Sequence, residues 1–231
     1  MISVPAQILL MSEVVAQGDL PLWAYESGRM HGHVETTNIE LSSDLRIRLD
    51  RWNVECVDSE DEHGFRGPDW PLHLVTRSFE LAAELQLEIG DESVVWCAGG
   101  GGLGTLEAQY LEDPGDSIVL VAPSGLGAVG DVIQWEKRAD YTIGSSLLRF
   151  EDLPLSPSVS LAATAWSNSI GRVIDHPGAM GVPAGGRVRA LGARLAGTIQ
   201  EELGRQAHVF YFGGGAPMPS WSGSFADLRS S

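Results

Sequence analysis

Three kinds of residue or segment are scarce in this chain, and each scarcity closes a class of function. Cysteine occurs twice in 231 residues, at Cys56 and Cys97, too seldom for the disulfide framework of a small secreted domain. Apolar runs are short, and none approaches the roughly 18 residues needed to cross a bilayer. The opening MISVPAQILLMSEVV has no basic segment ahead of its apolar residues, so neither a signal peptide nor a transit peptide is expected and the expected location is the cytoplasm. Basic residues are the third shortage: 15 Lys and Arg stand against 31 Asp and Glu, a net charge of −16. A field of that sign repels phosphate, which argues against a nucleic-acid partner and against an anionic membrane surface. What is present, 43% hydrophobic and 20% charged residues, is the composition of an ordinary folded domain.

The charge is unevenly placed. Residues 1–114 carry 21 acidic and 6 basic residues, a balance of −15, whereas residues 115–231 carry 10 and 9, a balance of −1. One reading is solubility alone, since a net charge far from zero keeps molecules apart. The other is that an acidic face, around Asp58, Glu60, Asp61 and Glu62, steers a basic protein partner toward the molecule.

The sequence also matches itself. A shift of 114 residues aligns 39–101 on 153–215 without a gap, with fifteen identities over 63 positions that include Ser42/Ser156, Trp52/Trp166, Gln86/Gln200 and Gly90/Gly204. Upstream the match continues with a two-residue slip that pairs Trp23 with Trp135. A tandem duplication is the expectation, with repeat 1 at 1–98, a glycine-containing linker at 99–116, repeat 2 at 117–215 and a tail at 216–231.

Each copy divides into elements by its periods. Gln7–Met11 and Ser117–Val121 are short apolar runs of strand character, and the segment around each first tryptophan forms a second strand. Ser42 and Ser156 occupy N-cap positions, with Pro157 at N1. Leu45, Leu49 and Trp52, like Val159, Ala163 and Trp166, recur on one helical face. A second helix is expected from about Arg77 to Ile89, closed by Gly90 in αL, and its counterpart buries Leu191, Leu195, Ile199 and Leu203 before Gly204. Final strands follow at Ser93–Cys97 and Ala207–Phe212. The expected fold is therefore α+β, two β-β-α-α-β units in a pseudo-twofold arrangement.

The pattern LSxxLxxxLxxW at Leu41–Trp52, Gly64 with Phe65, and LAxxLxxEIG at Leu81–Gly90 resembles small actinobacterial proteins to which no activity is attached. The second copy is degenerate, with Ala179 where the first has Phe65. The resemblance transfers no residue role. Many small acidic proteins of this kind look like partners in toxin and immunity systems.

One motif suggests a nucleotide. Residues 92–111, ESVVWCAGGGGLGTLEAQYL, place Gly99, Gly101 and Gly104 after a strand in the GxGxxG spacing that brings a pyrophosphate to a helix N-terminus. Against it, the matching Gly213–Gly215 leads into Ala-Pro-Met-Pro, the expected ribose-binding acid is replaced by Ala122, Pro123 and Ser124, and Pro114 limits the following helix to two turns. The competing reading is an inter-repeat linker. His31 and His33, with Glu26, Glu35 or His63, have the donor types of a zinc site, but the second copy lacks them, so no metal is expected. Asp175 and His176 have no nucleophile beside them in sequence, and no GxSxG elbow occurs. Trp70 and Trp221, in polar or glycine-rich segments, are candidate interface anchors. No cofactor is expected. The function that these features favour is a non-enzymatic acidic interaction module, an immunity or antitoxin-like inhibitor of a basic protein contacted through Asp58, Glu60, Asp61, Glu62 and Trp70. The alternative is a nucleotide-binding enzyme using Gly99, Gly101 and Gly104.

Overall fold

In the computed structural model of the chain, the described residues are 5–13, 19–26, 29–34, 39–59, 71–97, 99, 117–121, 132–140, 142–174 and 185–213. They form strands β1 (Gln7–Leu10), β2 (Leu22–Glu26) and β3 (Arg29–His33), helices α1 (Ser43–Ser59) and α2 (Leu72–Ile89), and strand β4 (Val94–Cys97). The second half runs β5 (Ser117–Val121), β6 (Val132–Lys137), β7 (Ile143–Leu148), α3 (Pro157–Ile174), α4 (Gly186–Leu203) and β8 (Ala207–Tyr211). The fold is α+β. All eight strands join one mixed sheet in the order β3-β2-β1-β4-β8-β5-β6-β7. Two pairings, β1 with β4 and β5 with β8, are parallel and the others antiparallel.

Each half thus has a third strand before its helices, so the unit is β-β-β-α-α-β, not β-β-α-α-β. The additional strands are the two ends of the sheet. Their sequences, RMHGH and IGSSLL, have no apolar alternation to announce a strand. Pairing within a hairpin makes them extended, and propensity contributes little at such a position.

Each helix pair is anchored in the same way. Ser42 Oγ accepts from the Leu45 amide (3.2 Å) and donates to Glu88 Oε1 (2.6 Å), while its own amide donates to Glu88 Oε2 (2.7 Å). Ser156 repeats this with Val159 and Glu202. The expected caps are present, and each also ties the start of one helix to the end of the next. The Trp52 indole donates to Leu74 O and the Trp166 indole to Val188 O. Gly90 and Gly204 take φ of +71° and +62° with ψ near −140°, outside αL in a region that glycine alone enters freely.

The second helix of each pair differs from the expectation. α2 begins at Leu72, directly after Pro71 and five residues before Arg77, because Leu74 and Val75 already lie on its buried face. α4 is rotated. Leu191 is 50% exposed, and the buried face is Arg189, Ala190, Ala193, Ala196, Ile199 and Gln200. The small residues of this face let α4 approach α2: a Cβ on Gly197 would lie 3.0 Å from the Phe79 Cβ. The leucine spacing identifies the helix and one margin of its inward side, whose centre is made of small residues.

The main core lies between the helices and one face of the sheet, with Ile8, Leu10, Val95, Cys97, Val209 and Tyr211 facing Leu45, Leu49, Trp52, Phe79, Leu85 and Ile199. On the other parity Leu9, Trp96 and Phe210 are also buried, outside that cluster. The central strands are therefore covered on both faces, which is why VVWC and VFYF read as unbroken apolar runs.

A glutamine in each half joins helix to strand. Gln86 Nε2 donates to Gly90 O (2.7 Å) and Ser93 O (2.9 Å), and its Oε1 accepts from the Val95 amide (2.9 Å). Gln200 does the same with Gly204 O, Ala207 O and the Val209 amide. Both are buried. Leucine at either position removes three hydrogen bonds to backbone groups, of which Ser93 O alone keeps a second partner, Arg189 Nη1; at about 1–3 kcal/mol for each group left unpartnered, urea unfolding should show a loss of about 2 kcal/mol or more for Gln86→Leu and about 3 kcal/mol or more for Gln200→Leu, with an unchanged slope.

Candidate functional site

The acidic face of the first half begins with α1. Asp44, Asp50 and Asp58 on α1, Glu80 and Glu88 on α2, and Asp91 and Glu92 beyond it are exposed. The arginines of the same region are largely committed internally. Arg46 donates to Ile39 O and Leu41 O, Arg48 is paired with Glu84 and Asp44, and Arg77 pairs with Glu55 at 2.7 Å. Arg51 is exposed. The cations of this half hold helices together, while many of its carboxylates face water.

Of the residues proposed for partner binding, Asp58 sits exposed near the end of α1. Glu60, Asp61, Glu62 and Trp70 lie outside the described residues, as do Trp221, Asp175 and His176. His33 stacks on Trp23 with ring centroids 3.8 Å apart, and Glu35 and His63 are outside the described residues. Among those that are described, no three His, Cys, Asp or Glu side chains are grouped to hold a metal ion.

Gly99 is the one member of the nucleotide motif that is described; Gly101 and Gly104 lie outside. Its backbone has φ +69°, and a Cβ there would meet Val75 Cγ1 at 2.8 Å and Val209 O at 3.6 Å. Gly213 also has φ +69°, and a Cβ on it would lie 3.0 Å from Val95 O. Both glycines turn the chain at the end of a central strand while packed against the strand of the other half. That packing accounts for Gly99 without a ligand.

A buried polar cluster at the centre went unseen in the sequence. Arg189, 1% exposed, donates through Nη1 to Ser93 O (2.9 Å) and Asp91 O (3.4 Å). The Asp91 carboxylate accepts from the Gly186 amide at the start of α4, where a negative group is favoured by the helix dipole. Tyr211 Oη donates to Arg189 O at 2.6 Å. The signal was available: Arg189 falls on the helical face shared by Ala193, Ala196 and Gln200, where a cation needs a partner. Nothing local could identify that partner, which lies 98 residues upstream.

At the equivalent place in the first half, Ser78 Oγ and Cys97 Sγ are 3.2 Å apart. Burial pushes the Cys97 thiol up to about 11, so at neutral pH it is protonated and a poor nucleophile. Cys56 is buried too. Burial likewise raises Tyr211, against the nearby Arg189 charge. These groups form packing and hydrogen bonds. No protein-family profile, curated protein or solved structure matches the chain.

The raised thiol and phenol give stability a pH dependence. The folded chain keeps protons that the unfolded chain releases once pH passes the ordinary cysteine and tyrosine values, so their contribution is complete below about pH 8.5 and is lost as pH rises. Each retained proton costs about 1.4 kcal/mol per pH unit. Chemical unfolding between pH 8 and 11 should show falling stability, with the fall shallower in Cys97→Ala.

Proposed function

We propose that the chain is a non-enzymatic interaction module whose acidic first half receives a basic protein. The observation that carries this reading is the disposal of charge: Arg46, Arg48 and Arg77 are held by partners within the fold, while Asp50, Asp58 and Glu80 are exposed to water. A surface of one sign with its own cations engaged internally accelerates encounter with an oppositely charged partner by about 10–10³-fold. The resemblance to small acidic actinobacterial proteins makes an immunity or antitoxin-like inhibitor the preferred form of this activity.

We further infer that the two halves descend from one unit by duplication and are related by a pseudo-twofold axis between β4 and β8. Supporting this, Cys97 pairs with Tyr211, its own counterpart at a shift of 114. Gly99 packs toward Val209 O and Gly213 toward Val95 O, a reciprocal pair of contacts. The sheet order reads the same from both ends when halves are exchanged.

Two experiments test these readings. Association with a basic protein captured from lysate of the source organism is measured by stopped flow for the wild type and for Asp50→Lys/Asp58→Lys. The variant's on-rate should fall several-fold at low salt and converge with wild type at high salt; equal rates at low salt refute steering. A thermal-shift scan with NAD(H), NADP(H), FAD, ATP and GTP should be flat, whereas a ligand at 100 times its Kd adds about 2.7 kcal/mol and would favour the nucleotide enzyme.

The duplication has its own test. A side chain at Gly192 would meet the Trp166 indole first and Tyr211 Oη at 2.7 Å, so Gly192→Ser should cost about 1–3 kcal/mol by overpacking. Combined with Tyr211→Cys it recreates the Ser78 and Cys97 pair of the first half. If the environments are equivalent, the double variant loses at least about 1 kcal/mol less than the sum of the two single losses.

A further inference from the structure

The two outer edges of the molecule are built differently. At one end, edge strand β3 carries Arg29, His31 and His33, and its pairing with β2 is broken by a register shift beside Gly32, at φ +114°. A charged residue and a bulge are the features that discourage an edge strand from pairing with another chain. At the other end, β7 is Ile-Gly-Ser-Ser-Leu-Leu, without a charge, a proline or a register shift, and Ser146 and Leu147 are exposed. Among the described residues nothing pairs with its outer edge.

The helix at the same end is bare in the same sense. The 3-10 turn Phe150–Asp152 that follows β7 packs on α3, and α3 is flanked by α4 on its inner side. α3 has no charged side chain before Arg172, whereas α1 has seven in 17 residues. Its exposed positions include Leu161, Ala162, Ala165 and Asn168, and Leu161 is 72% exposed. At the shift of 114 these replace Ile47, Arg48, Arg51 and Val54.

We propose that this end is a self-association surface whose occupant is a second copy of the chain, with β7 pairing antiparallel to the partner's β7 and α3 lying beside its α3. A twofold axis perpendicular to the sheet produces both contacts at once, because antiparallel pairing about such an axis keeps the helices of both copies on one face. The molecule already uses this arrangement internally: β4 and β8 meet antiparallel, and α2 and α4 pack across the junction through small residues.

Charge selects the second copy as occupant. Two chains of net charge −16 repel, but the half that carries α3 and β7 has a balance of only −1. Joining through it puts the two −15 halves at opposite ends, separated by much more than a Debye length of about 8 Å. The uncharged helix face loses no ion hydration when it is covered.

Light scattering coupled to size exclusion, run from micromolar to millimolar concentration, should give a mass approaching twice 24.8 kDa. Ser146→Lys and Leu161→Asp, both at exposed positions, should retain the wild-type circular dichroism and weaken the dimer about tenfold or more. Ile47→Asp, the counterpart of Leu161 and 58% exposed, should leave the mass unchanged. Hydrogen exchange at Gly144–Leu148 should slow as concentration rises. A monomer throughout that range, a dimer indifferent to both variants, or dissociation by Ile47→Asp would each overturn the proposal. None of these readouts depends on whether a basic partner exists.

Discussion

Everything in this fold depends on the junction between β4 and β8, where the two halves become one sheet. The strands meet at Cys97 and Tyr211, and the helices above them, α2 and α4, can cross closely because Ala193, Ala196 and Gly197 present almost no side chain toward Phe79. Gly99 and Gly213 complete the contact with backbone turns that admit no Cβ. Bulk added at any of these positions would separate the halves and open the core, since packed interiors tolerate little added volume.

The same junction shows how one framework accommodates two chemistries. In the first half a serine and a cysteine share the space over the sheet; in the second a glycine makes room for a tyrosine whose hydroxyl bonds Arg189 O. Arg189 in turn reaches Ser93 O in the first half, and Asp91 of the first half caps α4 of the second. The polar contacts therefore run between halves and add orientation to what apolar burial holds together. A buried cation needs this hydrogen bonding, because burial alone works against its charge.

The two halves agree in their core contacts and differ at their surfaces. Caps, tryptophan anchors and glutamine joints recur at a fixed shift, whereas charge is concentrated in one half and absent from most of α3. The acidic half suits encounter with a basic protein and the uncharged edge suits a second copy. Both readings place function on the surface, consistent with interior titratable groups that are protonated or hydrogen-bonded in place.

The amino-acid sequence by itself determined the elements whose causes are local. Ser42 and Ser156 cap because a hydroxyl at that position meets free amides, Leu45, Leu49 and Trp52 are buried because the helical period aligns them, and the shift of 114 carried both expectations to the second half. It also determined the charge imbalance, which is a count. Tertiary structure alone decided where the inward side of α4 is centred, because alanines and Gly197 are favoured there by the closeness of α2, a distance that no local pattern encodes. It alone made strands of β3 and β7, whose residues are extended by their neighbours in the sheet, and it alone brought Arg189 to Asp91 and Ser93. Of the candidate binding residues, Asp58 was legible as one acid of a charged run, while its place near the end of α1 came from the structure. Gly99 was legible as a glycine of a nucleotide motif or of a linker, but not as a left-handed turn packed closely on Val75 and in contact with the carbonyl of Val209.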